Sequence, residues 1–266
     1  MPAPIATNLY TVRDALARDF AGGAEKIAQM GFVGIEVSDF PGTTPEQMAK
    51  LFKDLGLVIT SAHLALPLGG QKSKVLDTMA VLGCRRLVAA CSANGPDDFT
   101  STDDIRRVCD LFNESNAVAS DNGLSFGVHN HWWEFQQVEG RSAYEVMLDY
   151  LDSTVFFEID SLWATLGGGD PAEAVRKLGK RAPLLHLKDG FSNTYRFHAD
   201  GPSIEGPPMA PLGDGIVDLP SVVQAGEGIT EWLIVEQDFW AGDSLSDVEK
   251  SYNYLVKSGL ARGNRG

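Results

Sequence analysis

Residues 155–189 read VFFEIDSLWATLGGGDPAEAVRKLGKRAPLLHLKD, and the order of patterns inside them decides the fold. VFFEID (155–160) is a short apolar and aromatic run of the strand type. GGDPAEAVRKLGK then places Asp170 as an N-cap ahead of Pro171, a helix start signal. APLLHLKD (182–189) is a second strand-type run. Strand, helix, strand in this order is a βαβ unit, which implies a parallel sheet.

The alternation runs the length of the chain. Six further strand-type runs are PIATNLYTV (4–12), FVGIEVSD (32–39), LVITSAHLA (57–65), RRLVAACS (85–92), LSFGVHNH (124–131) and EWLIVEQD (231–238). Helical patterns separate them, as in TTPEQMAKLFKDLG, which opens at Thr43 or Thr44 with Pro45 just inside. Eight strands, each followed by a helix, predict a closed (β/α)₈ TIM barrel occupying residues 1–266 as one α/β domain, with its active site at the C-terminal mouth of the strands. An open doubly wound sheet is the fallback, but neither GxGxxG nor GxxxxGK[ST] follows an early strand. After the seventh run, residues 190–214 are rich in Gly, Pro and Ser without a period, the mark of a lid over the mouth or of a disordered segment.

A length of 266 residues fits one large domain. The net charge of −14 would repel a phosphate backbone, which argues against a nucleic-acid partner. No run of about 18 apolar residues and no signal-like leader is present, so no membrane partner is expected and a cytoplasmic location is. Cys84, Cys91 and Cys109 are odd in number and at no metal-finger spacing; they read as reduced thiols, buried or inert.

Side chains alternate along a strand, so residues i and i+2 share a face. His129 with His131, Glu158 with Asp160, His186 with Lys188, and Glu236 with Asp238 therefore put an ionisable doublet at the ends of four successive strands. Glu36 with Ser38 and Ser61 with His63 are weaker versions. In a closed barrel these ends converge. Burying several carboxylates together costs several kcal/mol per unpaired ion unless something compensates, and carboxylates with neutral imidazole form a ligand set for a divalent metal. Asp160, His186 and Glu236 are the foremost candidates. Trp132, Trp133, Phe135 and Trp163 offer either an apolar stacking surface beside the ligands or core packing beneath the loop. Glu36 and His63 are placed to meet substrate hydroxyls from the opposite wall.

GVHNHWWEF (127–135), FEIDSLWATLGGGDPAEAVRKLGKRAPLLHLKDG (157–190), LGDGIVDLP (212–220), WLIVEQD (232–238) and the closing SYNYL resemble the sugar phosphate isomerase/epimerase family of xylose isomerase-like barrels, a group that includes inosose dehydratase and tagatose 3-epimerase. The resemblance implies one divalent metal at the mouth, Mn, Co, Zn or Mg with Mn favoured, held from four strand ends. Asp160, His186 and Glu236 match three of those ligands. Many relatives carry a glutamate where this chain has His129, so the fourth ligand is His129 or Glu134, with Glu134 expected because it restores the carboxylate.

The implied activity is a metal-dependent sugar isomerase or epimerase that removes a proton next to a carbonyl of a sugar, keto-sugar or cyclitol. Glu236, His131, Lys188 and Glu158 are the candidate catalytic groups; Glu36, His63, His129, Trp132 and Trp163 are the candidate substrate contacts. The departure at His129 also admits a dehydratase or lyase of the inosose dehydratase or 3-keto-glycoside type. A noncatalytic sugar-binding barrel would show broken ligands. Family resemblance further implies homo-oligomers, since such barrels often form dimers or tetramers.

Overall fold

Eight strands form a closed parallel barrel in the computed structural model, which describes residues 1–89, 95–192, 196–198, 201–205 and 209–264. They are β1 (Ile5–Asn8), β2 (Gly34–Val37), β3 (Val58–Leu64), β4 (Arg86–Ala89), β5 (Ser125–His129), β6 (Phe156–Asp160), β7 (Leu184–Leu187) and β8 (Trp232–Val235). β8 closes on β1, with Ala6 opposite Ile234. Each strand lies inside one of the eight runs read from the sequence, and helices alternate with them, so the chain is a (β/α)₈ TIM barrel. The expected helix starts are present: Thr44 and Gln47 form a capping box before Pro45–Asp54, and Asp170 Oδ1 accepts from the amides of Ala172 and Glu173.

Alternation sorts the side chains into two cores. Residues facing outward from the barrel, such as Ile35, Leu87, Val128, Phe157, Ile159 and Leu185, pack against the helices in the main apolar layer. Inward-facing residues fill the lower barrel with Ala6, Val88, Phe156, Leu184 and Ile234. Gly127 is part of that filling, because a Cβ there would stand 2.2 Å from Phe156 Cε2. One step up six of the strands the inward residues become polar: Asn8, Glu36, His129, Glu158, His186 and Glu236, all buried. The apolar layer is therefore a sealed floor, and the ionisable groups stand on it.

The described parts of 190–214 carry short antiparallel pairings. Asp189–Gly190 pairs with Met209–Ala210, and Arg196–His198 pairs with Gly201–Glu205. Residues 193–195, 199–200 and 206–208 of that expected lid lie outside the described residues. Cys84 and Cys109 are buried free thiols whose burial pushes them up to about 11 and about 12, in accord with the inert reading; Cys91 lies outside the described residues. No helix of the described residues is long and apolar enough to cross a membrane.

Candidate metal centre

Register fixes which side chains meet. Asp160 stands opposite His186 across the β6–β7 ladder, and His129 stands opposite Glu158 across β5–β6. One donor atom each from His129, Asp160, His186 and Glu236 falls within 4.8 Å of all the others, and the four residues are buried. His186 Nδ1 lies 2.8 Å from Glu236 Oε2. Asp160 is held on both sides: its amide donates to Asn130 Oδ1 at 2.9 Å, and its Oδ1 accepts from the Trp163 amide at 2.7 Å as the cap of the Ser161–Leu166 helix. Its other oxygen, Oδ2, faces the Lys188 ammonium at 2.9 Å without an aligned hydrogen bond, and His129 Nδ1 makes no hydrogen bond, with Glu158 Oε2 3.6 Å away. Two carboxylates and two imidazoles suit a borderline dication once His186, which Glu158, Glu236 and Glu36 hold protonated against burial, gives up its Nδ1 proton, so the residues present fit a divalent metal.

Beneath this ring lies a second group of Glu36, His63, Glu158 and His186. Glu36 is fully buried with both oxygens engaged: Asn8 Nδ2 donates to Oε1 at 2.8 Å, Ser61 Oγ donates to Oε2 at 2.5 Å, and His186 Nε2 meets Oε1. His63 Nε2 lies 2.5 Å from Glu158 Oε2, and the His63 ring stacks on His186 at 5.3 Å. With its Nε2 turned down to a carboxylate, His186 keeps Nδ1 for the upper ring, the arrangement that orients a metal-bound imidazole.

Burial and neighbouring charge set the protonation. Burial alone would raise Glu36, but His63 and His186 facing it hold it well below the usual range. Burial opposes a charged His63, yet Glu36 and Glu158 push it up to about 10. Glu158 is raised by burial and then by Glu36. In the upper ring burial lifts Asp160 to about 6 against the pull of Lys188, while Lys188 and His186 overcome burial to keep Glu236 well below its ordinary value. Burial and then Lys188 depress His131 to about 3, so this imidazole is neutral. Its Nδ1 is unpartnered and its ring stacks on Trp133 at 4.4 Å.

The structure brings Asp160, His186 and Glu236 together as the sequence led us to expect, and brings Lys188 and His131 to the same ring. Of the two candidates for the fourth position it brings in His129 and leaves Glu134 out. Glu134 sits in the Trp133–Phe135 turn, where its Oε2 accepts from the His131 amide at 2.8 Å beside the outward faces of Val128, Phe157 and Ile159. It stands behind the barrel wall. Glu36, His63 and Glu158, expected as substrate contacts and a catalytic group, come together with His186 in the lower group, Glu36 and Glu158 wholly buried. Trp163 packs with Leu162 and Met209 at the mouth, with Trp132 and Phe239 against them. Sequence reasoning missed Asn8 and Asn130, which act through hydrogen bonds to Glu36 and to the Asp160 backbone, and it gave Asp238 no role. Arg13 was missed as well; it lies over the Tyr10 and Trp240 rings and donates to the Asp238 carbonyl at 3.0 Å.

Glu134 supplies a pH test. Burial raises it to about 8, well above the unfolded value of about 4.3. Between these values the folded chain keeps a proton that the unfolded chain has lost, so stability falls as pH rises through the window. Glu134→Gln retains the acceptor for the His131 amide and removes the titration. Its stability relative to the parent should rise by on the order of 4 kcal/mol between about pH 5 and pH 8.5 in denaturant titrations. A difference that does not change with pH would refute the assignment.

The barrel with its polar mouth places the chain in a class. It belongs to the xylose isomerase-like TIM barrel family, whose model matches residues 24–253. Among solved structures it is similar to a sugar phosphate isomerase/epimerase from Parabacteroides distasonis ATCC 8503, at a TM-score of 0.80 and 22% identity over 98% of this chain and 96% of that one. The probable 3-DHS dehydratase AsbF from Bacillus anthracis is similar at a TM-score of 0.70 and 17% identity, covering 96% of this chain and 98% of that one. An IOLI protein with a binding zinc atom is similar at 0.69 and 15% identity, covering 97% and 99%. At these identities the likeness is one of fold. No curated protein matches the sequence.

Proposed function

We propose that this barrel is a divalent-metal-dependent sugar isomerase or epimerase that removes a proton from the carbon next to a carbonyl of a sugar or keto-sugar, through an enediolate. The observation that carries the reading is the convergence of His129, Asp160, His186 and Glu236 within 4.8 Å, with Asp160 Oδ2 and His129 Nδ1 making no aligned hydrogen bond. These four residues would hold the ion, which when bound supplies Lewis-acid polarisation of the carbonyl. Mn is favoured.

The chain's own groups then divide the work. Glu236, kept ionised by Lys188 and His186, and His131, kept neutral with a free Nδ1, are the two groups able to take and return the proton. Lys188 is the one to stabilise charge developing on a substrate oxygen. Glu158 serves from below, through His63, rather than touching substrate. Trp132 and Trp163 offer apolar surface to the C–H face of a sugar ring.

A dehydratase or lyase is the second reading. It is favoured by His129, because an imidazole in place of a carboxylate leaves Glu236 as the single ionised acid/base carboxylate of the ring, paired with a neutral His131. That asymmetry suits removal of a proton at one atom and protonation of a leaving hydroxyl at another. Incubating the Mn²⁺-loaded protein with sugars, inososes and 3-keto-glycosides in deuterated water tests both. Deuterium entering the carbon next to the carbonyl is the expected result, and a product one water or one glycoside lighter selects the lyase. Exchange with no member of the panel would end both readings.

A further inference from the structure

The Lys188 ammonium is 1% exposed and lies 2.9 Å from Asp160 Oδ2, 2.7 Å from Glu236 Oε2 and 2.8 Å from Asp238 Oδ2. These three contacts are not alike. The approach to Asp238 is a hydrogen bond, whereas the approach to Asp160 is an ion pair that leaves Oδ2 without an aligned donor. Asp160 and Glu236 are metal-ligand candidates; Asp238 is in neither donor group. The ammonium thus rests on a carboxylate beside the ring while leaning on two carboxylates of the ring itself.

We propose that Lys188 is a built-in competitor for the metal, with Asp238 as its parking carboxylate: the ammonium satisfies Asp160 and Glu236 in the metal-free protein and stays on Asp238 when a dication takes those two oxygens. The inference rests on the metal reading of the preceding section. Three carboxylates face one ammonium and the protonated His186 imidazole, so the group keeps a net negative charge that a dication would offset. Without Lys188 the same dication would enter a more negative ring and meet no cation a few ångströms away, so it would bind more tightly. Without Asp238 the ammonium would have no carboxylate of its own to keep. It would hold Asp160 and Glu236 more firmly, and the metal would bind more weakly. The Trp163 ring, with its centroid 5.0 Å from Nζ, confines the ammonium to this side of the ring.

The sign of the effect separates competition from simple support. If Lys188 merely clamped the carboxylates in place, removing it would loosen the ring and weaken the metal. The experiment is a Mn²⁺ titration of the chelator-stripped full chain against a chromogenic chelator. Lys188→Met should bind Mn²⁺ about tenfold or more tightly than the parent, and Asp238→Asn about tenfold more weakly. The double variant should follow Lys188→Met, because Asp238 matters through the ammonium. Equal or weaker binding by Lys188→Met overturns the competitor while leaving the metal reading intact. Absence of Mn²⁺ binding in both the parent and Lys188→Met ends the metal reading, and this inference with it. Should Lys188→Met fail to fold, Asp238→Asn decides alone: unchanged or tighter binding overturns the inference.

Discussion

Asp160→Asn is expected to strip the metal from the protein and to lower proton exchange next to the carbonyl by about 10³-fold, equivalent to about 4 kcal/mol of transition-state stabilisation. The substitution is chosen because Asp160 has two separable duties. Oδ1 caps the Ser161–Leu166 helix by accepting from the Trp163 amide, and asparagine caps as well as aspartate does. Oδ2 is the unspent oxygen beside Lys188 Nζ, and asparagine replaces its charge with a neutral group. The backbone amide of residue 160 still reaches Asn130 Oδ1. Melting temperature should therefore stay close to the parent's while metal content, read by elemental analysis of protein purified without chelator, falls towards zero. A variant that keeps one ion per chain would remove Asp160 from the ligand set.

Parity made this residue legible before any coordinates. Asp160 follows Glu158 by two positions, as Lys188 follows His186, and in a closed barrel such pairs face inward. What parity does not carry is height. His129 stands level with Glu158, while Asp160 is level with His186, because closing a tilted sheet into a barrel staggers neighbouring strands. Parity alone therefore does not separate Glu36 and Glu158, which bond His186 and His63, from the carboxylates of the upper ring. The ladder also slips by one residue between Ile35 and Glu36, which brings Ser61 rather than Thr60 opposite Glu36. Glu134 was misjudged for a different reason. A residue in a turn has no period to fix its direction, and the nearest buried donor, the His131 amide, claims it.

Asn130 marks another limit of the same rule. Lying between two inward histidines it must point away from the mouth, yet it bonds the Asp160 backbone through both amide atoms, at 2.9 Å and 3.4 Å. A side chain that works on a neighbouring strand's backbone leaves no chemical pattern in its own sequence. Arg13 and Asn8 are hidden in the same way, since the Asp238 carbonyl and the Glu36 carboxylate they reach lie more than 25 residues away along the chain.

Asp189→Ala should be the most destabilising single change near the mouth, at about 3–5 kcal/mol by denaturant titration. Although it sits next to Lys188, this aspartate belongs to architecture. Its Oδ1 accepts from the Gly190 and Val217 amides at 2.9 and 3.0 Å, and its Oδ2 accepts from the Gly213 and Gly215 amides, each at 3.1 Å. Burial raises its carboxyl and the four amides pull it back, so the buried group gathers the LGDGIVDLP loop around itself. The fit is close enough that a Cβ on Gly215 would stand 2.1 Å from Asp189 Oδ1. Alanine would orphan four backbone donors at once, whereas asparagine would keep one good acceptor and lose roughly half as much. Hydrogen exchange should report the loss locally, with protection falling across 211–217 before the barrel strands open. Because the loop follows the strand that carries His186 and Lys188, Asp189→Ala should also weaken Mn²⁺ binding, but only in proportion to the unfolded fraction. A variant of parental stability with poor Mn²⁺ binding would instead move Asp189 into the centre itself.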